Sequence, residues 1–229
     1  MRSSRVAFAL AALCFASLAE AHVSISSGHA QANKSQKITF GVGHGCDGAD
    51  TVKVRVELPA GISSVRVFSS DFGKPTIEGT AAAVTAIVWT KDAADLLGED
   101  YGYYELTIRA RVGDVPFTSI PVKVFQTCRT AGGVETTVAW DQPPGATTGE
   151  PAPLLHVVPG RITGWNKYTL ATAVPAAKLG TFFGDAQIVW KGNSAYSANA
   201  ALQPLITDTP GVTALTSDLA AGDVIWVKY

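Results

Sequence analysis

The sequence predicts a mainly β protein, an antiparallel β-sandwich followed by a small C-terminal α/β extension. Three observations point there. Apolar and polar residues alternate with a period of two in run after run from Lys37 onward. Glycine and proline punctuate these runs at short intervals, as between Phe68 and Val84, where Gly73, Pro75 and Gly79 fall. About seven strand-length runs precede residue 141, with turns rather than long helices between them. That spacing suits antiparallel pairing and excludes a doubly wound α/β fold, which needs a crossover helix between strands.

Taken in order, the chain opens with Arg2 and Arg5, an apolar run over residues 6–18, and Ala19-Glu20-Ala21. A basic start, an apolar segment too short to span a bilayer and an A-x-A cleavage site are the parts of a secretory signal peptide over residues 1–21. A cut after Ala21 makes His22 the first residue of a mature periplasmic or secreted protein. His22 then offers an α-amino group and an imidazole to one metal ion, a chelate that suits copper(II). Alternatively, His22 only marks where the cut falls.

Residues 38–42 form the first substantial strand run. Val52, Val54, Val56 and Leu58 alternate with Lys53, Arg55 and Glu57, a half-buried strand ended by Pro59-Ala60-Gly61. Residues 65–68 and 84–89 are shorter β-rich runs, and residues 91–97 have the composition of one or two helical turns. Tyr104, Leu106, Ile108, Ala110 and Val112 mark another alternating strand. Residues 117–126 read as one strand, at an edge or bulged because it contains Pro121, and residues 134–140 as the next, ended by Trp140-Asp141. Residues 142–153, rich in Pro, Gly and Thr, read as a linker or an extended edge segment. Beyond them, residues 187–190 and 224–228 read as strands. Residues 198–207 have helical spacing, with Pro204 limiting the helix. The division is therefore a signal peptide at 1–21, a sandwich at 22–158 and a small module at 159–229.

Loss of residues 1–21 takes the basic residues from 18 to 16 and the acidic ones from 19 to 18, so net charge moves from −1 to −2. No basic face for nucleic acid is suggested, and no long apolar run after the signal calls for a membrane-embedded protein. Cys46 and Cys128 remain in the mature chain. In an oxidising compartment such a pair is most economically read as a disulfide. The alternative is a pair of soft ligands for copper(I).

Four histidines are the candidate ligands. His44 stands in Gly43-His44-Gly45-Cys46-Asp47-Gly48, where glycines permit tight turns around one imidazole and a bonded Cys46 would fix the loop; otherwise it is a loop histidine in solvent. His29 has no visible partner in its polar run, and His156 reads as a core or edge histidine. Trp140 would either shield a metal and dock its ligand ring or simply pack in the core. Asp47 and Asp50 are too few carboxylates for a calcium loop, and Glu99-Asp100 reads as a solvated turn. Phosphate-binding loops, H-E-x-x-H, C-x-x-C and G-x-S-x-G are absent from the sequence.

Ala21-His22-Val23, Gly43-His44-Gly45-Cys46-Asp47-Gly48, Leu58-Pro59-Ala60-Gly61, Gln126-Thr127-Cys128 and Trp140-Asp141 stand in an order and spacing that resemble the YcnI-like family of secreted domains, over about residues 22–158. The resemblance implies an immunoglobulin-like or cupredoxin-like sandwich. It also implies copper(II) bound by the amine and ring of the mature N-terminal histidine, here His22, with a loop side chain and a nearby tryptophan, here Trp140. Where better-known members present a loop glutamate, this chain has Gly43-His44-Gly45. The expected metal ligands are thus His22 and His44, with Trp140, Asp141 and Asp47 around them and a Cys46–Cys128 disulfide behind.

The function expected is copper trafficking or homeostasis without catalysis, with the copper ion, periplasmic copper chaperones or a membrane copper transporter as partners. Two alternatives are a copper monooxygenase using a histidine brace and a metal-free adhesion sandwich. The tail after about residue 160 lies outside the resemblance.

Overall fold

The structure is a computed structural model and describes residues 22–80, 82–98 and 101–229. The signal peptide expected at 1–21 and the turn expected at Glu99-Asp100 lie outside the described residues. The protein is mainly β. Its first part contains β1 (Ser24–Ile25), β2 (Ala30–Gln31), β3 (Ser35–Val42), β4 (Asp50–Glu57), β5 (Ile62–Val67), β6 (Thr76–Gly79) and β7 (Val84–Thr90). It continues through β8 (Tyr104–Val112), β9 (Thr118–Pro121), β10 (Val124–Arg129), β11 (Glu135–Gln142), β12 (Glu150–Pro151) and β13 (Leu154–Val158).

Two sheets form the sandwich. One has the order β1-β3-β8-β5, the other β12-β11-β10-β4-β7-β6. Their inward residues share one core. Ile38 and Phe40 of β3 and Leu106 and Ile108 of β8 pack with Val54 and Val56 of β4, Ile87 and Trp89 of β7, and Val124 of β10. The alternation read from Val52 to Leu58 is realised in β4, where Val52, Val54 and Val56 are buried and Lys53, Arg55 and Glu57 are partly exposed. On the side of β3 away from β8, Gly41 faces Ser24 of β1. A side chain at Gly41 would meet the Ser24 hydroxyl and Ser26, so glycine lets the N-terminal strand lie close.

The run at 117–126 is two strands in different sheets, a correction to the single strand expected. Pro121 has no N–H to continue a ladder. The chain accordingly leaves β9, which pairs with β13, and re-enters pairing at Val124 against β4 and β11. The Pro/Gly segment before β13 is the extended edge segment rather than a free linker: Glu150–Pro151 pairs in parallel with β11, and Ala152 donates to the Gln142 carbonyl. Residues 91–97 contain one 3₁₀ turn, Ala93–Asp95, capped by the Asp92 carboxylate.

The C-terminal part comprises β14 (Trp165–Thr169), α1 (Leu179–Phe183), β15 (Ile188–Lys191), β16 (Ser194–Tyr196), α2 (Gln203–Asp208), β17 (Thr213–Ala214) and β18 (Val224–Lys228). Its sheet has the order β14-β18-β15-β16-β17. Pro204 falls in the first turn of α2, where a missing N–H costs nothing. A second core gathers Leu179, Phe182, Phe183, Val189, Ile225 and Val227, with Phe117 contributed by the sandwich. Among the described residues no helix is long and apolar enough to cross a membrane.

Candidate metal centre

At one end of the sandwich a short polar chain ties the loop between β3 and β4 to the larger sheet. Gln126 lies on β10 between the buried Val124 and Cys128, on the face that looks into the core, and is itself 1% exposed. An amide there must find partners or forfeit its hydration. Its nitrogen donates to the His44 carbonyl at 2.7 Å and to the Thr51 hydroxyl at 2.9 Å. Its oxygen accepts from the indole N–H of Trp140 at 3.2 Å. One buried side chain therefore fixes both the loop carrying His44 and the ring of Trp140.

The indole in turn meets His22. Ring centroids are 5.3 Å apart and the planes are tilted by 56°. The His22 side chain is exposed while the next residue, Val23, is buried in the core, so the chain is anchored immediately behind the imidazole. The antiparallel register pairs Ser24 with Gly41. His22 lies two residues ahead of that pair in the chain, and Gly43 and His44 lie two and three residues past it.

His44 is half-buried. Its ring Nδ1 is hydrogen-bonded to the carbonyl of Gly45. With Nδ1–H donating there, the ring lone pair belongs to Nε2, the tautomer a metal-ligating histidine adopts when a carbonyl holds its other nitrogen. Cys46 and Cys128 form a disulfide with Cα atoms 5.7 Å apart, across 82 residues of sequence. Just past Cys46 the chain reverses over Asp47 and Gly48, with φ of 49° and 78° and paired N–H···O bonds between Cys46 and Ala49. Two positive φ values in a row define a type I′ turn, which aspartate and glycine adopt readily.

The other expected neighbours lie differently. Asp47 is exposed in that turn. Asp141 follows Trp140 along β11, which runs on to Gln142 instead of ending at Trp140, so strand alternation turns its carboxylate toward the opposite face. There it accepts from the Gln142 amide at 2.6 Å. Among the described residues, no group of three or more His, Cys, Asp or Glu side chains converges on one point.

Asp50, weighed with Asp47 as an oxygen donor, is fully engaged elsewhere. It is buried, and its carboxylate accepts from Lys91 Nζ at 2.5 Å, from the Tyr104 hydroxyl at 2.7 Å and from the Leu97 N–H at 2.7 Å. Burial alone would raise its pKa, but the bonds from Lys91, Tyr104 and Leu97 together outweigh it and hold the carboxyl below its ordinary range. His29 does have a partner: its ring is edge-on to His156 at 5.6 Å. His156 sits half-buried on β13, the central strand between β2 and β9, with its Nδ1 2.8 Å from the Ser119 hydroxyl.

Gln126 went unrecognised in sequence as a positioning residue. Its signal was a polar residue at an inward position of the strand leading to Cys128.

The match to known families bears on the same segment. The family described as DUF1775, a domain of unknown function, matches residues 22–157. The chain belongs to the DUF1775 family. This is the YcnI-like domain, and its match begins at His22 and takes in Trp140 and both cysteines. An uncharacterized protein from Nocardia farcinica, described as having an immunoglobulin-like fold, is similar at 24% identity, with 60% of this chain and 98% of that one covered and a TM-score of 0.48. A DUF4466 family protein from Parabacteroides merdae is similar at 9% identity, with 67% and 46% covered and a TM-score of 0.22. No curated protein matches this DUF1775 member.

Proposed function

We propose that this DUF1775 protein binds copper(II) at the end of its sandwich, through the amine and imidazole of a mature N-terminal His22 and the ring of His44. It carries the ion as cargo in copper trafficking or homeostasis rather than catalysing a reaction. The observation that carries this reading is the contact of His22 with Trp140, whose indole is locked by the same Gln126 that holds the His44 carbonyl. Nitrogen donors are the set that copper(II) prefers among divalent ions. The indole covers one side of the imidazole and limits water there, and the disulfide restrains the His44 loop.

The reading requires cleavage of residues 1–21, and so a periplasmic or secreted protein that receives copper from, or passes it to, copper chaperones or a membrane copper transporter. An amide nitrogen ahead of His22 would be a far poorer donor than an amine. Competition titration of copper(II) should therefore give tight one-to-one binding for a chain beginning at His22 and a loss of about two orders of magnitude or more for a chain extended by one alanine, since a whole equatorial donor is removed. Equal affinity in the two chains rejects the amine as a ligand. Electron paramagnetic resonance of the copper-loaded His44→Ala protein tests the second ring, and unchanged nitrogen couplings would remove His44 from the site.

A further inference from the structure

We propose that the C-terminal sheet carries a second binding face, for an acidic oligosaccharide built of carboxylated pyranose units. Strands β14, β18 and β15 are adjacent, and their registers align two rows of side chains. One row is Lys167, Trp226 and Trp190; the other is Trp165, Lys228 and Ile188. The intervening residues Val189, Ile225 and Val227 fill the second core. Alternation along the strands then forces both rows outward. With strands about 4.8 Å apart, the three-strand patch is roughly 10 Å wide.

The three indoles line an open cleft of about 370 Å³. Trp165 is 48% exposed and Trp226 46%. A cluster of indoles on a sheet face, rather than one stray aromatic, marks a surface that something covers. The cations are interleaved with the rings. Lys167 Nζ lies 5.7 Å from the Trp226 ring centroid and Lys228 Nζ 6.0 Å from that of Trp165. Lys191 and Arg161 of the same module are paired with Asp223 and Asp185, whereas among the described residues Lys167 and Lys228 have no carboxylate partner.

Charge complementarity selects the occupant. It must present a flat apolar surface to each indole and a negative charge to the lysine beside it. A uronic-acid-type sugar does both, since one face of its ring is a plane of C–H groups and its carboxylate projects from the edge. Each ammonium would leave the indole face for the carboxylate, a stronger partner, and uncover the ring for stacking. A protein partner fits less well, because lysine is depleted from the centre of protein interfaces and here lies inside the patch. Nucleic acid asks for several phosphate-neutralising cations, while this chain has two here and a net charge of −1. A bilayer would have to take Lys228 in among the indoles, away from water.

The test is titration of the full chain by calorimetry and tryptophan fluorescence with an oligogalacturonate of about six units. Neutral cellohexaose, an oligothymidylate and phosphatidylglycerol vesicles are run alongside. The oligogalacturonate should bind in preference to all three, and more weakly as salt rises. Trp226→Ala and Trp165→Ala should each weaken binding about tenfold, the scale of one aromatic contact. Lys167→Ala with Lys228→Ala should erase the preference over cellohexaose. These side chains face solvent, so circular dichroism should show a native fold; should Trp226→Ala unfold, Trp165→Ala and the lysine pair decide. His22→Ala should leave the binding unchanged, which separates this face from the copper proposal. The assignment is overturned by no binding at millimolar oligogalacturonate, by equal or tighter binding of any control, or by unchanged affinity in the tryptophan variants.

Discussion

The imidazole of His22 and the indole of Trp140 meet at 5.3 Å across the end of the sandwich, the first from the sheet containing β3 and the second from the sheet containing β10. Since Trp140 is 4% exposed, the contact gives the exposed His22 ring a fixed wall to rest on. Copper bound by His22 should quench Trp140 emission most, above the background of Trp89 in the sandwich core and of Trp165, Trp190 and Trp226 in the other module. Fluorescence during copper titration checks this: Trp140→Phe, which keeps a ring beside His22 but loses the indole, should lose most of the quenching. Identical quenching in the variant would place the metal elsewhere.

Gln126→Leu should show how far the centre depends on one buried amide. The substitution removes the partner of the Trp140 N–H and of the His44 carbonyl, and each orphaned group costs about 1–3 kcal/mol unless water reaches it. Urea unfolding of the variant should move to lower denaturant at an unchanged slope, with copper affinity falling in parallel. Wild-type stability would mean that the chain from His44 to Trp140 is held by something else.

Acid stability should depend on the pair Lys91–Asp50. Its pKa being lowered in the fold, Asp50 contributes stability that is complete above the unfolded carboxyl pKa of about 3.9 and is lost as pH falls through the lower folded value. Lys91→Met strands a buried carboxylate and should cost about 3–5 kcal/mol near neutral pH. Adding Asp50→Leu should recover most of that loss. Thermal melts of the single and double variants test the pair, and a double variant no better than the single one would show that Tyr104 and Leu97 alone sustain Asp50.

The pair His29–His156 should make the junction of the two parts sensitive to mild acid. Burial, then the charges of His29 and Lys178, push the His156 pKa below its ordinary 6.5. A depressed folded pKa means that stability is complete above 6.5 and declines as pH falls from there through the folded value. His156 also packs against Phe182 of α1, at 5.9 Å between rings. Stability between pH 7 and 5 should thus fall less in His156→Gln than in the native chain, as read by urea unfolding at each pH. Equal slopes would show that the imidazole titrates alike in the folded and unfolded chains, against the lowered folded pKa.

Periodicity by itself determined the β character of the chain. Alternation at Val52, Val54 and Val56 and at Tyr104, Leu106 and Ile108 can be satisfied only with one face in a core, which fixes each strand and its buried side. Composition likewise singled out Cys46 and Cys128, the two cysteines beyond residue 21, and they are joined. Tertiary structure alone decided which residues meet. Trp140 and Gln126 are 14 residues apart in sequence and His44 and Gln126 are 82 apart; only strand register brings their polar atoms within bonding distance. The break of residues 117–126 at Pro121 depended on which neighbours each half found, β13 for one and β4 with β11 for the other. Asp50 had the same ambiguity. A carboxylate near a loop reads as a solvent-facing donor until the fold places Lys91 and Tyr104 against it, because burial and pairing are properties of the packed layers and not of local sequence.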